Sequence, residues 1–244
     1  ARPAFAEAVL TAVAYPAVVF TFGIGAIIFL MTFVIPRFAT IFADLGQAVP
    51  LPTQILLWVS AGFSAYWWVG VILLLGIVLA WRVWTGSPQG RMRWDQMLLG
   101  MPMIGPLMMK IETARFARTL GTMLKSGVPV MSALAVVGDT MTNRAIGHAV
   151  AQLADGVKRG GTIAAGMQAQ APFPVLAIHM VRVGEETGRL EDMLLKVAET
   201  FEADVGTDLK RVLRLLEPII IFGMGVLVAF VVVAMMLAIF SINE

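Results

Sequence analysis

The chain has no cysteine, only two histidines and few charged residues. Without cysteine there can be no disulfide, thiolate metal site, iron–sulfur cluster or cysteine nucleophile. His148 and His179 alone give little material for a metal centre or a general base. Charged residues make up 14% of the chain and hydrophobic residues 59%, whereas soluble globular proteins are roughly 45–50% apolar. The composition therefore predicts an integral membrane protein.

Two uncharged stretches predict membrane-spanning helices. Residues 16–36 and residues 218–240 contain no charged side chain. A helix needs about 20 apolar residues to cross the hydrocarbon core of a bilayer, so both lengths fit. Ionisable residues in mid-membrane are costly, and pumps and ion-coupled carriers keep them for transport. Because these stretches have none, the sequence argues against a transporter.

The apolar region between them, residues 51–84, is too long for one upright span. Up to about residue 65, apolar and polar side chains fall on opposite faces of a helix, which predicts an interfacial helix within a periplasmic loop over 37–65. A second span then covers 66–84, with aromatic residues at both of its ends. One tilted helix from Pro52 to Trp84 is the alternative.

The distribution of basic residues predicts the orientation. Residues 85–217 carry arginine and lysine beside both of their membrane ends, whereas the opposite side has only Arg37. The positive-inside rule then makes 85–217 cytoplasmic, and the 37–65 loop and the tail at 241–244 periplasmic. The basic excess in 85–217 is small, which is typical of headgroup attraction rather than of a nucleic-acid footprint. We therefore expect membrane lipid as a partner and no nucleic acid.

Helical signals fill residues 85–217, and no alternating strand pattern is present in the sequence. Proline, glycine and capping residues divide this segment into about six helices. Asn143 and Thr162 are predicted N-caps, and Gly188 is a predicted left-handed helix end. The sequence predicts an all-α membrane protein with three transmembrane helices and a cytoplasmic antiparallel helical bundle.

The last helix of this bundle is predicted to continue into the membrane. Its apolar positions recur at three- and four-residue intervals from Leu190 to Leu216, and it runs through Pro218 into the last span. Pro16 also follows a helical run and precedes a span, and both prolines are followed by a Gly-x-Gly pair. This internal repeat predicts that residues 1–15 end a first cytoplasmic domain, whose remainder lies upstream.

The sequence contains no constellation that supports catalysis. A phosphate-binding Gly-x-x-x-x-Gly-Lys motif is absent, and the Gly160-Gly161-Thr162 string lacks its lysine. No nucleophile, base and metal ligands come together in a recognisable pattern. We therefore expect a protein that is not an enzyme, with no catalytic residue, no cofactor and no metal.

Six charged residues are candidates for contact with a partner. They are Arg115, Arg118, Lys125, Glu185, Glu186 and Arg189. The basic residues Arg115, Arg118 and Lys125 share one helical face, which would suit an acidic partner. Intramolecular pairing is favoured, helped by Glu112 one turn before Arg115. The second group surrounds the predicted helix end at Gly188, where capping is favoured over partner contact and over a divalent cation.

Two further patterns concern packing. Five methionines lie at the junction between the second span and the bundle, namely Met97, Met101, Met103, Met108 and Met109. They fit an adaptable docking surface or gap-filling in a core, and the second is favoured because it is commoner. Gly225 and Ala229 are four residues apart and would let another helix approach closely. That helix belongs to this chain or to a second copy, so homo-oligomerisation stays open.

Several segments resemble the type II secretion system F family. They are ARFARTLGTMLKSGVPVMSAL (114–134), FPVLAIHMVRVGEETGRLEDML (173–194) and the LEP string at 216–218. Members of this family are inner-membrane platform proteins of type II secretion and type IV pili. The resemblance implies two related six-helix cytoplasmic bundles with three spans, of which this chain would hold the second bundle and all the spans.

The resemblance also implies a function. The chain would be a platform in the bacterial inner membrane that couples a cytoplasmic secretion ATPase to pseudopilus assembly for protein export. Its partners would be that ATPase, other inner-membrane secretion subunits and pseudopilins. The GDTMTN stretch (138–143) favours the secretion branch of the family. A type IV pilus assembly platform is the alternative, and a transporter or channel is a more distant one.

Overall fold

The structure is a computed structural model that describes residues 18–37 apart from 20, 27 and 35, residues 51–170 and residues 173–241. Every regular element in these residues is helical, which confirms the all-α prediction. The chain divides into an apolar unit, Ala1–Leu79 with Leu209–Glu244, and a bundle unit, Ala80–Asp208. The predicted domain end at 1–15 lies outside the described residues, as does nearly all of the predicted tail.

Helix α1, Leu51–Gly86, is one uninterrupted helix. The backbone stays helical through Tyr66, as in the alternative of one long helix, and the position of the span within this helix stays a prediction. No proline follows Pro52 within the helix, and nothing else in the sequence would stop it there. Its segment Leu57–Gly86 has a mean hydropathy of 2.1, and among the described residues it is the one helix long and apolar enough to cross a membrane.

The other two predicted spans are described in part. Within 18–37, helical turns lead into a π-helical turn at Leu30–Val34. Pro218–Val233 is a shorter apolar helical stretch within the longest helix of the chain. These two segments meet inside the apolar unit, because a Cβ added to Gly23 would clash with the sulfur of Met224. A larger residue at position 23 would require the end of the Met224 side chain to shift.

The bundle unit contains six short helices and the first part of a long one, within the residues described. They are α2 (Pro88–Gly100), α3 (Ile104–Lys125), α4 (Val130–Thr140), α5 (Arg144–Lys158), α6 (Ile163–Gln170), α7 (Val175–Thr187) and α8 (Leu190–Ser241). The six predicted helices correspond to α3 to α8. Helices that follow each other from α2 to α7 pack against each other, and α2 also contacts α5.

Helix α2 is an addition to the predicted set. It starts where the Ser87 side chain accepts a hydrogen bond from the amide of Gly90 at 3.0 Å, with Pro88 in the first helical position. A serine N-cap followed by proline is a standard helix start, so the signal was present in the sequence. Only Ser87 separates the end of α1 at Gly86 from the start of α2 at Pro88.

Helix α8 confirms the prediction that the last bundle helix continues through Pro218. Its apolar stripe is buried in the bundle unit at Leu194, Val197, Phe201 and Val205. The stripe was also predicted to pack as far as Leu216, and this is wrong at Val212, which is 38% exposed. The reason is that the bundle unit includes α8 only as far as Asp208.

Gly184 lets α7 approach α8. A Cβ at this position would lie 2.9 Å from the Met193 Cβ and 3.1 Å from the Leu190 Cα. We expect Gly184→Ala to lower the free energy of unfolding by about 1–3 kcal/mol, because the added methyl overpacks the contact. The measurement is the Tm of the full chain in detergent, followed by circular dichroism.

Gly206→Ala is the matched control, because a Cβ there has no heavy atom within 4 Å. Alanine is the better helix former, so this variant should be neutral or more stable by about 0.5–1 kcal/mol. Equal Tm values for the two variants would contradict the close packing of α7 on α8.

Candidate functional site

All six predicted partner-binding residues lie in the bundle unit. Arg115, Arg118 and Lys125 are on α3, Glu185 and Glu186 are in the last turn of α7, and Arg189 directly precedes α8. Four of them contact other parts of the chain, and these contacts show which side chains are held and which are available.

Arg118 joins α3 to α8. Its Nε donates to Glu202 Oε1 at 3.0 Å and its Nη2 donates to Glu202 Oε2 at 2.7 Å. The hydrogen bonds that Arg118 donates to this carboxylate raise the pKa of Arg118, against an opposing effect of burial. Two parallel hydrogen bonds fix the orientation of both side chains, so the Arg118–Glu202 pair links α3 to α8.

Arg115 and Glu112 form the ion pair that the sequence predicted, with Arg115 Nη1 donating to Glu112 Oε1 at 3.0 Å. Arg115 also donates to the Thr142 hydroxyl. The carboxylate of Glu112 is only 1% exposed and accepts a further bond from the Thr142 amide at 3.1 Å. The pair therefore holds α3 against the loop between α4 and α5.

Burial raises the pKa of Glu112, and nearby Asp95 adds to this, while Arg115 and the loop amides of Thr142 and Asn143 lower it. A carboxyl whose pKa is raised on folding stabilises the fold fully at low pH and loses that contribution as the pH rises. We expect the stability advantage of the native chain over Glu112→Gln to be largest near the usual glutamate pKa of about 4.3 and to shrink above it. Tm values of both proteins between pH 4.5 and 8 test this, and an advantage that grows with pH would contradict it.

Asp95 and Asn143 tie α2 to the start of α5. Asn143 is the N-cap that the sequence predicted, since its Oδ1 accepts from the amides of Ala145 and Ile146 at 3.0 and 3.1 Å. Its Nδ2 donates to the Asp95 carbonyl at 3.0 Å, and Asp95 Oδ2 accepts from the Arg144 amide at 2.8 Å. The GDTMTN stretch therefore helps to pack the start of α5 against α2. The role of Asp95 in this contact was not predicted.

Glu185 caps a helix, as the sequence analysis favoured. The helix it caps is α6, not its own helix α7. Its two oxygens accept from the amides of Ile163 and Ala164 at 2.5 and 3.0 Å, at the start of α6. Gly188 has φ +69° and ends α7 in the predicted left-handed conformation. Arg189 pairs with Asp192 at 3.0 Å. No group of three or more histidine, aspartate and glutamate residues in the described ranges could hold a metal ion.

Lys125 and Glu186 have exposed side chains, and they differ from the other four candidates in their contacts. Neither makes an ion pair or a side-chain hydrogen bond within the part of the chain that the structure describes. Lys110, which the sequence did not single out, pairs instead with Asp208 at 2.6 Å. The charges still available for a partner are therefore fewer than the sequence suggested.

Helix α2 and its junction with α3 expose methionine side chains. The gap-filling interpretation is wrong for Met97, Met101 and Met103, which are 56%, 36% and 72% exposed. The reason is that this region packs through other residues, among them the buried Gly90 and Gly105. The side chains of Met97, Met101 and Met103 therefore remain exposed.

Comparison with known proteins places this fold in a family. Residues 116–238, half of the chain, match the family model described as type II secretion system (T2SS), protein F. The chain belongs to the type II secretion system protein F family. The matched range contains Arg118 with its partner Glu202, and it includes most of α8.

Members of the protein F family that resemble the chain carry names from two systems. The type II secretion system protein F of Pseudomonas aeruginosa is 33% identical over 96% of this chain and 58% of its own length. The type IV pilus assembly protein PilC of Thermus thermophilus is 36% identical over 95% and 57%. PilC of Myxococcus xanthus is 33% identical over 96% and 56%. The chain thus spans little more than half the length of these relatives.

Proposed function

We propose that the chain is an inner-membrane platform protein of a type II secretion system, which couples a cytoplasmic assembly ATPase to pseudopilus assembly. The observation that carries the proposal is α8, one helix from Leu190 to Ser241. Its first part is buried among the bundle helices, and its last part is the apolar stretch that follows Pro218. A helix of this kind can transmit a force from a cytoplasmic motor to the membrane without chemistry of its own.

The proposed topology has spans at 16–36, 66–84 and 218–240, with 85–217 in the cytoplasm and 37–65 in the periplasm. The apolar Leu57–Gly86 segment supports the second span. The absence of cysteine allows a direct test by single-cysteine labelling. In spheroplasts, an impermeant maleimide should label Leu51→Cys and should label Lys125→Cys only after lysis. Labelling of Lys125→Cys in intact spheroplasts would rule out this topology.

We assign contact with the ATPase or a neighbouring inner-membrane subunit to the exposed charges of Lys125 and Glu186. The double variant Lys125→Glu with Glu186→Lys should reduce export at least fivefold in a strain that lacks the native gene, because it reverses both charges that this chain presents to its partner. Lys158→Glu, an exposed lysine at the end of α5, is the control. Both proteins should keep the native Tm, and equal export by the two would remove Lys125 and Glu186 from the contact.

A pilus assembly platform is the second candidate, because relatives named for the pilus match this chain as well as those named for secretion. The deletion strain separates the two. Lost export with normal pili supports the secretion platform, and lost pili with normal export supports the alternative. Complementation by the full gene must restore the same property.

A further inference from the structure

The bundle unit contains a cleft that a mechanical role does not use. The cleft has a volume of about 240 Å³ and is lined by residues of α1, α2, α3 and the start of α5. Trp81 from the end of α1, and Arg91, Trp94 and Asp95 from α2, are among its lining residues. Trp81 lies within the long apolar segment that ends at Gly86. The cleft therefore opens where a spanning helix would leave the membrane.

Arg91 lines this cleft, and neither it nor Arg82 and Arg93, which lie near it in the sequence, has an acidic partner among the described residues. Arg82, Arg91 and Arg93 are exposed, and none of them forms an ion pair or a side-chain hydrogen bond with any residue that the structure describes. Asp95 is the one acidic residue in the sequence from 80 to 111. It is 7% exposed, and its Oδ2 already accepts the amide at the start of α5. The positive charge at the cleft is therefore left for a ligand.

Two tryptophans, Trp81 and Trp94, line the cleft together with Arg91. The ring of Trp94 meets those of Trp81 and Trp84 edge to face, with centroids 5.8 and 6.3 Å apart. Trp81 and Trp84 are still 45% and 41% exposed, and Met97 and Met103 are more exposed than either. Tryptophan favours the level of the lipid headgroups, where one part of the ring system is apolar and the other is wet. This combination fits a lipid better than a soluble anion.

We propose that the cleft binds one anionic glycerophospholipid. The guanidinium of Arg91 holds the headgroup phosphate by charge-assisted hydrogen bonds. Arg82 and Arg93 add attraction to the negatively charged inner leaflet, and Trp81 with Trp94 contacts the glycerol and the upper acyl chains. The proposal rests on α1 crossing the membrane, and it needs no part of the role in secretion.

Native mass spectrometry of the full chain in detergent tests the site with phosphatidylglycerol and phosphatidylcholine of the same acyl chains. The native chain should retain one phosphatidylglycerol in preference to phosphatidylcholine. A basic residue near an anionic membrane contributes about 1 kcal/mol, so Arg91→Gln should weaken phosphatidylglycerol binding about fivefold. Arg91→Lys should recover part of the loss.

Arg159→Gln is the matched control. Arg159 is an exposed arginine at the far end of α5, about 22 Å along that helix from its start at the cleft. This variant should bind both lipids as the native chain does. Far-UV circular dichroism establishes that each variant is folded.

Three results would overturn the lipid site. They are equal retention of the two lipids by the native chain, equal loss of phosphatidylglycerol in the Arg91→Gln and Arg159→Gln variants, and displacement of the lipid by inorganic phosphate at matched concentration. The last would mean that the cleft recognises a free anion. Because the readout is lipid binding, it can fail while export and the maleimide pattern remain as proposed, and the converse also holds.

Discussion

Phe116→Ala is expected to lower the free energy of unfolding of the bundle by about 3–5 kcal/mol, the usual cost of removing a buried aromatic ring from a core. Phe116 is fully buried, and its ring centroid lies 5.2 Å from that of Phe173, which lies two residues before α7. Its removal leaves a cavity between α3 and that segment. Thermal unfolding of the full chain in detergent measures the loss. The Tm of Phe116→Leu should lie between those of the native chain and of Phe116→Ala.

Leu176→Ala is the control for this substitution, because the Leu176 side chain is 52% exposed on α7. It removes a large apolar side chain from the same part of the fold without opening a cavity. Its effect should stay within about 0.5 kcal/mol, as for most surface substitutions. If both variants lowered the Tm equally, the ring of Phe116 could not be part of a close-packed core.

The bundle helices could be predicted because their ends are encoded locally. Asn143, Thr162 and Gly188 each act within three residues of their own position, as an N-cap or a left-handed helix end. Such signals need no knowledge of the rest of the fold. The start of α2 at Ser87 is of the same kind, so the sequence analysis missed that helix by not using a signal that was present.

The state of the charged residues could be predicted only where the partner is near in sequence. Glu112 and Arg115 are one helical turn apart, and their pair was expected. Arg118 pairs with Glu202, which is 84 residues away. A helical face shows which side chains share a surface, but it does not show what packs against that surface. The same limit applies to Glu185, whose position near the end of α7 suggested a cap without revealing that the capped helix is α6.

The burial of α8 shows a related limit. The apolar pattern is continuous from Leu190 to Leu216, so it gives no signal for where the bundle stops. The structure shows Val205 buried and Val212 exposed, because the number of turns covered depends on the lengths of the other helices. The sequence predicted the helix and its apolar face, and tertiary packing decided how far that face is covered.

The uncovered part of α8 is where the coupling proposal can be tested. Replacing Val212 and Leu213 together by glycine is expected to reduce export at least tenfold in the deletion strain. Both positions lie beyond Asp208, where the bundle unit ends, and before Pro218. Two glycines weaken the helix by about 2 kcal/mol relative to two alanines, which makes a local break about thirtyfold more frequent. A helix that breaks there cannot transmit a displacement along its length.

The double alanine variant at the same two positions is the control for this experiment. It removes the same side chains and keeps a strong helix former, so it should retain export if the continuity of α8 is what matters. Both variants should keep the native Tm of the bundle, because the substituted residues lie outside it. Equal loss of export in both would assign the effect to the missing side chains. Normal export with the glycine pair would mean that movement does not pass along α8, and the platform would then have to act on the pseudopilus by another route.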